Sequence, residues 1–178
     1  MHHPACTNRA VLVAAATLAV MASGTHASLT FTNSTTANGL GFNFVRGVYA
    51  SGGTIYAATL RGLSTSTNGG VSWTNSTTAN GLGNNFVYGV YESGGTIYAA
   101  TRGGLSTSTN GGVSWTNFTT ANGLGNNRVW GVYESGGTIY AATYGGGLSI
   151  ANVTAVPGAA GVAGLATIGL VGLRRRRR

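Results

Sequence analysis

The sequence predicts an all-β protein built from a repeated unit of short antiparallel strands, and three observations favour that class. Of the 178 residues, 31 are glycine, ten are positively charged and two are negatively charged, so turns are abundant and charges are rare. The segment TNSTTANGLG begins at Thr32 and at Thr74, and TNFTTANGLG begins at Thr116, which gives a period of 42 residues. Each period holds four short runs of β-branched and aromatic residues separated by turn residues.

The period defines three repeats inside a repeat domain that we place at 28–155, and their bounds are 32–73, 74–115 and 116–150. The second repeat shows the strand pattern most clearly, with predicted strands at 86–91, 96–101, 105–109 and 113–117. Ser93-Gly94-Gly95 separates the first two strands and Asn110-Gly111-Gly112 the last two, because Asn and Gly accept the positive φ of tight hairpins. Four antiparallel strands in about 40 to 45 residues are typical of a β-propeller blade.

The hairpin between the last two strands carries a family resemblance. The segments 66–73 and 108–115 resemble the Asp-box of BNR-type propellers, Ser-x-Asp-x-Gly-x-Thr-Trp, and the whole unit resembles the repeats of two-component-regulator and sialidase-like propellers. The resemblance implies a folding device, with Asn68 and Asn110 replacing the aspartate as acceptors for backbone N–H groups. It also implies that both tryptophans are core residues. The matching positions are Ser66, Asn68, Gly70, Trp73, Ser108, Asn110, Gly112 and Trp115.

The number of repeats leaves ring closure open. Propellers have four or more blades, and this chain has three repeats. The segment LTFTN at 29–33 is similar to VSWTN at 113–117, while the third repeat has no clear fourth strand, so the first segment is a candidate to complete the last blade. An open arc and a homodimer forming a six-bladed ring are both compatible with the sequence.

The two ends of the chain are predicted to be targeting segments. Residues 1–27 have the pattern of a secretory signal peptide, with Arg9 before an apolar run at 10–22 and cleavage expected after Ala27. At the other end, an apolar run at 158–173 predicts a transmembrane helix of roughly 24 Å. Five arginines then follow, which the positive-inside rule leaves in the cytoplasm.

The tail, residues 156–178, resembles the PEP-CTERM sorting signal of Gram-negative bacteria, which implies processing by an exosortase-like enzyme. Val-Pro-Gly stands here where that family has Val-Pro-Glu-Pro. A plain membrane anchor would have the same topology. The residues that carry the resemblance are Val156, Pro157, Arg174, Arg175, Arg176, Arg177 and Arg178.

Charge and residue inventory exclude several functions. Six of the ten arginines lie in the two end segments, so the repeat domain keeps four against two glutamates, too few for a groove that follows nucleic acid phosphates. Asp and Lys are absent, and every His and Cys lies within the first 26 residues. We therefore expect no metal, no cofactor and no enzymatic activity. Glu92 and Glu134 occupy the same position in successive repeats, so they do not form an acid and nucleophile pair.

Candidate ligand-binding residues are those that differ among repeats, because arginine and aromatic side chains do not replace one another in a fixed core position. Three sets of equivalent positions vary in this way: Arg46, Tyr88 and Trp130; Leu60, Arg102 and Tyr144; Phe44, Phe86 and Arg128. Neutral drift on a solvated surface is the alternative interpretation. The candidates are Arg46, Tyr88, Trp130, Arg102, Tyr144 and Arg128.

The sequence as a whole predicts an exported, non-enzymatic propeller protein of the cell envelope or extracellular matrix, acting as a binding or structural module for a polysaccharide or protein. A membrane-anchored, sensor-type propeller is the alternative, and a degenerate sialidase-like hydrolase is a remote third reading.

Overall fold

The computed structural model describes residues 29–153, so the predicted signal peptide and sorting tail lie outside the described residues. Within 29–153, no helix is long and apolar enough to cross a membrane. Of the described residues, 33–153 belong to one compact unit. That unit is an array of antiparallel sheets, which confirms the all-β class.

Three sheets follow one another along the chain, and each has its strands in sequence order. Blade 1 contains β1 (Val45–Ser51), β2 (Thr54–Thr59), β3 (Gly62–Ser66) and β4 (Thr74–Ser76). Blade 2 contains β5 (Val87–Ser93), β6 (Thr96–Thr101), β7 (Gly104–Ser108) and β8 (Thr116–Phe118). Blade 3 contains β9 (Val129–Ser135), β10 (Thr138–Thr143) and β11 (Gly147–Asn152), with no fourth strand among the described residues.

The fourth strand of each complete blade begins later than the sequence predicted. The alternation of residues 113–115 predicts a strand there, yet β8 begins at Thr116. The reason is local, since the Ser114 N–H donates to Asn110 Oδ1 at 3.0 Å and is therefore held in the hairpin. The predicted segment 29–33 likewise forms no strand in the structure.

A short 3₁₀ turn precedes the inner strand of each blade, at Thr36–Asn38, Thr78–Asn80 and Thr120–Asn122, and the second and third of these link one blade to the next. In the second of these, the Thr77 side chain accepts from the Ala79 N–H, and the Asn80 side chain accepts from the Thr77 N–H. Gly81 ends the turn at φ 92, a conformation that favours glycine. The link leads from an outer strand to the next inner strand.

Apolar side chains from neighbouring blades form two equivalent cores. Between blades 1 and 2 the buried residues are Tyr56, Ala58, Leu63, Leu82, Val87, Ile97 and Ala99. Between blades 2 and 3 they are Tyr98, Ala100, Leu105, Val129 and Ala141. Trp115 is partly buried and packs against the first core. The second core contains no tryptophan.

The inner strands β1, β5 and β9 lie against one another at a glycine. A Cβ on Gly47 would lie 3.2 Å from the Tyr88 carbonyl oxygen, and a Cβ on Gly89 would lie 3.2 Å from the Trp130 carbonyl oxygen. Further along these strands, the rings of Tyr49, Tyr91 and Tyr133 form a column with centroid distances of 4.8 and 4.9 Å. Burial and then the neighbouring phenols raise the pKa of Tyr91 to about 12.

Candidate functional site

Each inner strand begins with a β-bulge, and the extra residue is the one that varies among the repeats. In β5 the pairing passes from Val87 opposite Thr101 to Gly89 opposite Ala100, so Tyr88 has no partner on β6. The same irregularity leaves Arg46 unpaired in β1 and Trp130 unpaired in β9. A bulge residue lies outside the alternation of the strand and can present its side chain at the sheet end, which explains why this position accepts Arg, Tyr or Trp.

The other two variable positions lie beside the bulge. The Arg102 N–H donates to the Phe86 carbonyl at 3.0 Å, and the Tyr144 N–H donates to the Arg128 carbonyl at 2.9 Å. These bonds hold the turn after the second strand against the residue that precedes the inner strand. The three sets of variable positions therefore form one surface at one end of the blades.

Four of the six candidate residues form a continuous cluster on this surface, which we call the aromatic cluster. The ring of Trp130 lies 4.6 Å from that of Tyr88 and 6.0 Å from that of Tyr144, measured between centroids. The Arg128 guanidinium lies 4.8 Å from the Tyr144 ring and 5.9 Å from the Trp130 ring. Trp130 is 44% exposed and Tyr144 is 55% exposed, so solvent reaches the cluster.

The remaining two candidates lie outside the aromatic cluster. Arg102 lies 5.5 Å from the ring of Phe86, and Arg46 is exposed on β1. Blade 1 adds a pair that the sequence reasoning missed, because Arg61 lies 4.6 Å from the ring of Phe42. A signal for both was present, since they are among the few positions at which the first two repeats differ.

Charge is separated between the two ends of the blades. All four arginines of residues 29–153 lie where the inner strands begin or where the second strands end, and we call this the arginine end. Glu92 and Glu134 lie near the opposite ends of β5 and β9, where each accepts a backbone N–H in the following turn, from Gly95 at 2.8 Å and Gly137 at 2.7 Å. A hydrogen bond from the Ser93 hydroxyl, followed by the one from Gly137, lowers the pKa of Glu134. The two carboxylates therefore stabilise turns.

The Asp-box hairpins close the same end of the blades as the glutamates. Asn110 Oδ1 accepts from the Ser108 hydroxyl at 2.9 Å, and its Nδ2 donates to the Ser114 hydroxyl at 2.8 Å. The Gly112 N–H donates to Ser108 Oγ at 2.9 Å, and the same three bonds recur 42 residues earlier at Ser66, Asn68, Gly70 and Ser72. The Trp115 Nε1–H donates to the Gly112 carbonyl at 3.1 Å, whereas the buried Trp73 Nε1 has no hydrogen-bond partner within residues 29–153.

A groove of about 520 Å³ lies between blades 2 and 3. Its lining is mainly apolar and includes Tyr98, Leu105, Phe118, Leu124, Ile139 and Ile150. No group of three His, Cys, Asp or Glu side chains that could hold a metal occurs in the part of the chain that the structure describes.

No protein-family model matches the chain, and no curated protein sequence matches it. Among solved structures, one described as the extracellular domain of a hybrid two component system from B. thetaiotaomicron has a TM-score of 0.52 and 16% identity, over 62% of this chain and 16% of that chain. An ancestral GH74 enzyme has a TM-score of 0.47 and 29% identity, over 56% of this chain and 13% of that chain. The computationally designed Ika8 protein has a TM-score of 0.48 and 6% identity, over 61% of this chain and 33% of that chain. The chain thus spans a small fraction of these proteins, and the likeness to the extracellular domain shows a shared fold of propeller-like blades.

Proposed function

We propose that the chain is an exported, non-enzymatic propeller protein that binds an acidic polysaccharide at the arginine end. The observation that carries the proposal is the aromatic cluster, in which exposed rings of Trp130 and Tyr144 flank the guanidinium of Arg128. Flat aromatic faces stack on sugar rings, and arginine forms bidentate hydrogen bonds with carboxylates.

The charge distribution favours an acidic over a neutral polysaccharide. Every arginine among the described residues lies at the arginine end, and both glutamates lie at the other end. The guanidinium groups of Arg61, Arg102 and Arg128 are stacked on aromatic rings. Stacking occupies the face of a guanidinium and leaves its N–H groups directed outward for hydrogen bonds.

Export and sorting are part of the same proposal, and they rest on the sequence patterns at 1–27 and 156–178. The first segment would direct the chain across the membrane. The second would hold the chain in the membrane until an exosortase-like enzyme removes it. In the sensor-type alternative, the tail stays in place and the chain remains anchored in the membrane.

Binding of the full chain to polygalacturonate, with dextran as the neutral comparison, tests the proposal. We expect Trp130→Ala to weaken binding to polygalacturonate at least about tenfold, equivalent to about 1.4 kcal/mol, because it removes the central ring of the aromatic cluster. Arg128→Ala should weaken it as well, and added salt should weaken it further.

Val113→Ala is the matched control, since Val113 is an exposed apolar residue in the Asp-box hairpin at the opposite end of blade 2. Equal binding by wild type and Trp130→Ala, or equal binding to polygalacturonate and dextran, would contradict the proposal.

A further inference from the structure

The groove between blades 2 and 3 lies where a tryptophan would be if blade 3 were complete. Trp115 packs against the core that contains Tyr56, Leu63, Leu82 and Ile97. The residues 42 positions later are Tyr98, Leu105, Leu124 and Ile139, and all four line the groove. The groove is therefore the counterpart of the Trp115 site, and no tryptophan of residues 29–153 fills it.

Among the described residues, no strand lies beside β11 in the position that β8 has beside β7. A Cβ on Gly81 would lie 3.8 Å from the backbone N and O of Trp115, whereas no atom of residues 29–153 lies within 4 Å of a Cβ on the equivalent Gly123. In blade 2, the Ser106 hydroxyl donates to Asn117 Oδ1 at 2.6 Å, and Asn117 Nδ2 donates to the Gly81 carbonyl at 2.8 Å. The equivalent Ser149 accepts from the Gly125 N–H at 3.0 Å, and no asparagine follows it in a fourth strand.

The segment 29–33 has the residues that this site needs. Its sequence LTFTN aligns with VSWTN at 113–117, so Phe31 corresponds to Trp115 and Asn33 to Asn117. Leu29 is 80% exposed and Phe31 is 83% exposed. Ser34, the next residue, makes the same contact as Ser76 at the end of β4. The Ser34 hydroxyl donates to the Gly70 carbonyl at 2.9 Å, and the Ser76 hydroxyl donates to the Gly112 carbonyl at 3.1 Å.

The segment cannot fill the groove of its own chain while Ser34 holds this contact. Phe31 precedes Ser34 by three residues, which span about 10 Å when fully extended. Blade 3 is separated from blade 1 by blade 2, and stacked sheets lie about 10 Å apart, so the distance to cover is roughly 20 Å. The segment of a second copy has no such limit.

Blade 3 exposes the face that blade 2 packs against blade 3, and blade 1 exposes the face that blade 2 packs against blade 1. We call these two surfaces the open faces. On blade 3, Leu148 is 58% exposed, whereas the equivalent Leu105 is 4% exposed in the second core. On blade 1, Val45 is exposed, whereas the equivalent Val87 and Val129 are fully buried. The open face of blade 3 is therefore complementary to the open face of blade 1.

We propose that two copies of the chain form a closed six-bladed ring, in which the segment 29–33 of each copy adds the fourth strand to blade 3 of the other. The partner's Phe31 fills the groove, and the partner's Asn33 binds Ser149. Six blades lie within the usual range of four to eight, which three blades do not reach and nine exceed. Two identical contacts close the ring under twofold symmetry.

An interchain disulfide tests the pairing directly. Ser106 and Asn117 lie opposite each other in the register of β7 and β8, at a separation that a disulfide can bridge. We therefore expect Asn33→Cys with Ser149→Cys, in a Cys6→Ala full-length chain, to yield a covalent dimer under oxidising conditions. Ser106→Cys with Asn117→Cys is the matched control and should link within one chain. A link within one chain for the first pair, or no link while the control pair links, would overturn the proposal.

The mass of the full-length chain in mild detergent gives a second test. A chain of 17.9 kDa should be found at twice that mass. Leu148→Asp should yield a folded monomer, because it places a charge in the contact between copies. Val113→Asp should remain dimeric, since Val113 is also exposed, at 74%, but lies in the hairpin of blade 2, away from the contact between copies. A wild-type monomer, an open oligomer, or a dimeric Leu148→Asp variant would each refute the ring.

Discussion

At the scale of single residues, the two glutamates show how a chain with few charges uses them. Glu134 lies one residue before the end of β9, accepts the Gly137 N–H in the following turn and accepts a hydrogen bond from the Ser93 hydroxyl of the neighbouring blade. Its charge also reaches the core, because burial and then the Glu134 carboxylate raise the pKa of the Tyr98 phenol. A group that ties a turn to the next blade contributes to stability in its charged form.

We expect Glu134→Gln to lower the melting temperature at pH 7 and to have no such effect in strong acid. The folded-state pKa of Glu134 lies below the reference value of 4.5, so its contribution is fully present above pH 4.5 and is lost as the pH falls through the folded-state pKa. Thermal melts of wild type and variant at pH 7 and near pH 2.5 measure this. Ser93→Ala should reproduce part of the effect, and a difference that does not depend on pH would contradict the assignment.

At the scale of strands, the spacing of the blades depends on one glycine in each inner strand. In the part of the chain that the structure describes, no atom lies within 4 Å of a Cβ on Gly131, whereas a Cβ on Gly89 would meet the backbone of β9 at 3.2 and 3.4 Å. The Gly-Val-Tyr motif of blade 2 therefore packs against the next inner strand, whereas the same motif of blade 3 has no inner strand beside it among the described residues. This difference makes the two glycines a matched pair.

Gly89→Ala should reduce the free energy of unfolding by about 1–3 kcal/mol, because backbone atoms of β9 must move to admit the new methyl group. Gly131→Ala should be neutral or stabilising by up to about 1 kcal/mol. Urea denaturation at a protein concentration low enough to keep the chain monomeric measures both. Equal losses for the two variants would show that the close approach of β5 and β9 does not limit this position.

The strands also show which features could be predicted from the sequence. The 42-residue period and the residue types predict the blades. The variation among repeats singles out Tyr88, Trp130, Tyr144 and Arg128 as candidates, and the structure brings these four side chains together. The bulge at Trp130 was not predictable, because alternation alone does not reveal an extra residue in a short strand. The late start of β8 was missed because the bond from Ser114 to Asn110 is a side-chain effect that overrides alternation.

At the scale of the whole molecule, the open faces of blade 1 and blade 3 are both apolar, and they are equivalent to the two surfaces that meet between neighbouring blades. A lone arc would expose the residues that its own inter-blade contacts bury, with Leu148 on blade 3 and Val45 on blade 1 as the clearest cases. Exposed patches of this kind mark interaction sites in soluble proteins. Pairing also protects the unpaired edge of β11, which would otherwise be free to add foreign strands.

The melting temperature of the wild-type chain should therefore rise with protein concentration, because dimerisation stabilises the folded state by mass action. Gly131→Ala should weaken this dependence, since the added methyl group points to the side on which the partner's blade 1 would lie. Calorimetry over a roughly hundredfold concentration range measures both. A wild-type melting temperature that is the same at all concentrations would argue against association.

The offset between the repeat and the blade has a genetic consequence. The period that begins at Thr74 supplies β4 to blade 1 before it supplies three strands to blade 2. A recombination event that adds or removes one period, wherever its breakpoints fall, would still leave every junction between blades intact. Lineages can therefore change the number of blades per chain without inventing a new contact, and only the number of chains needed to close the circle would change.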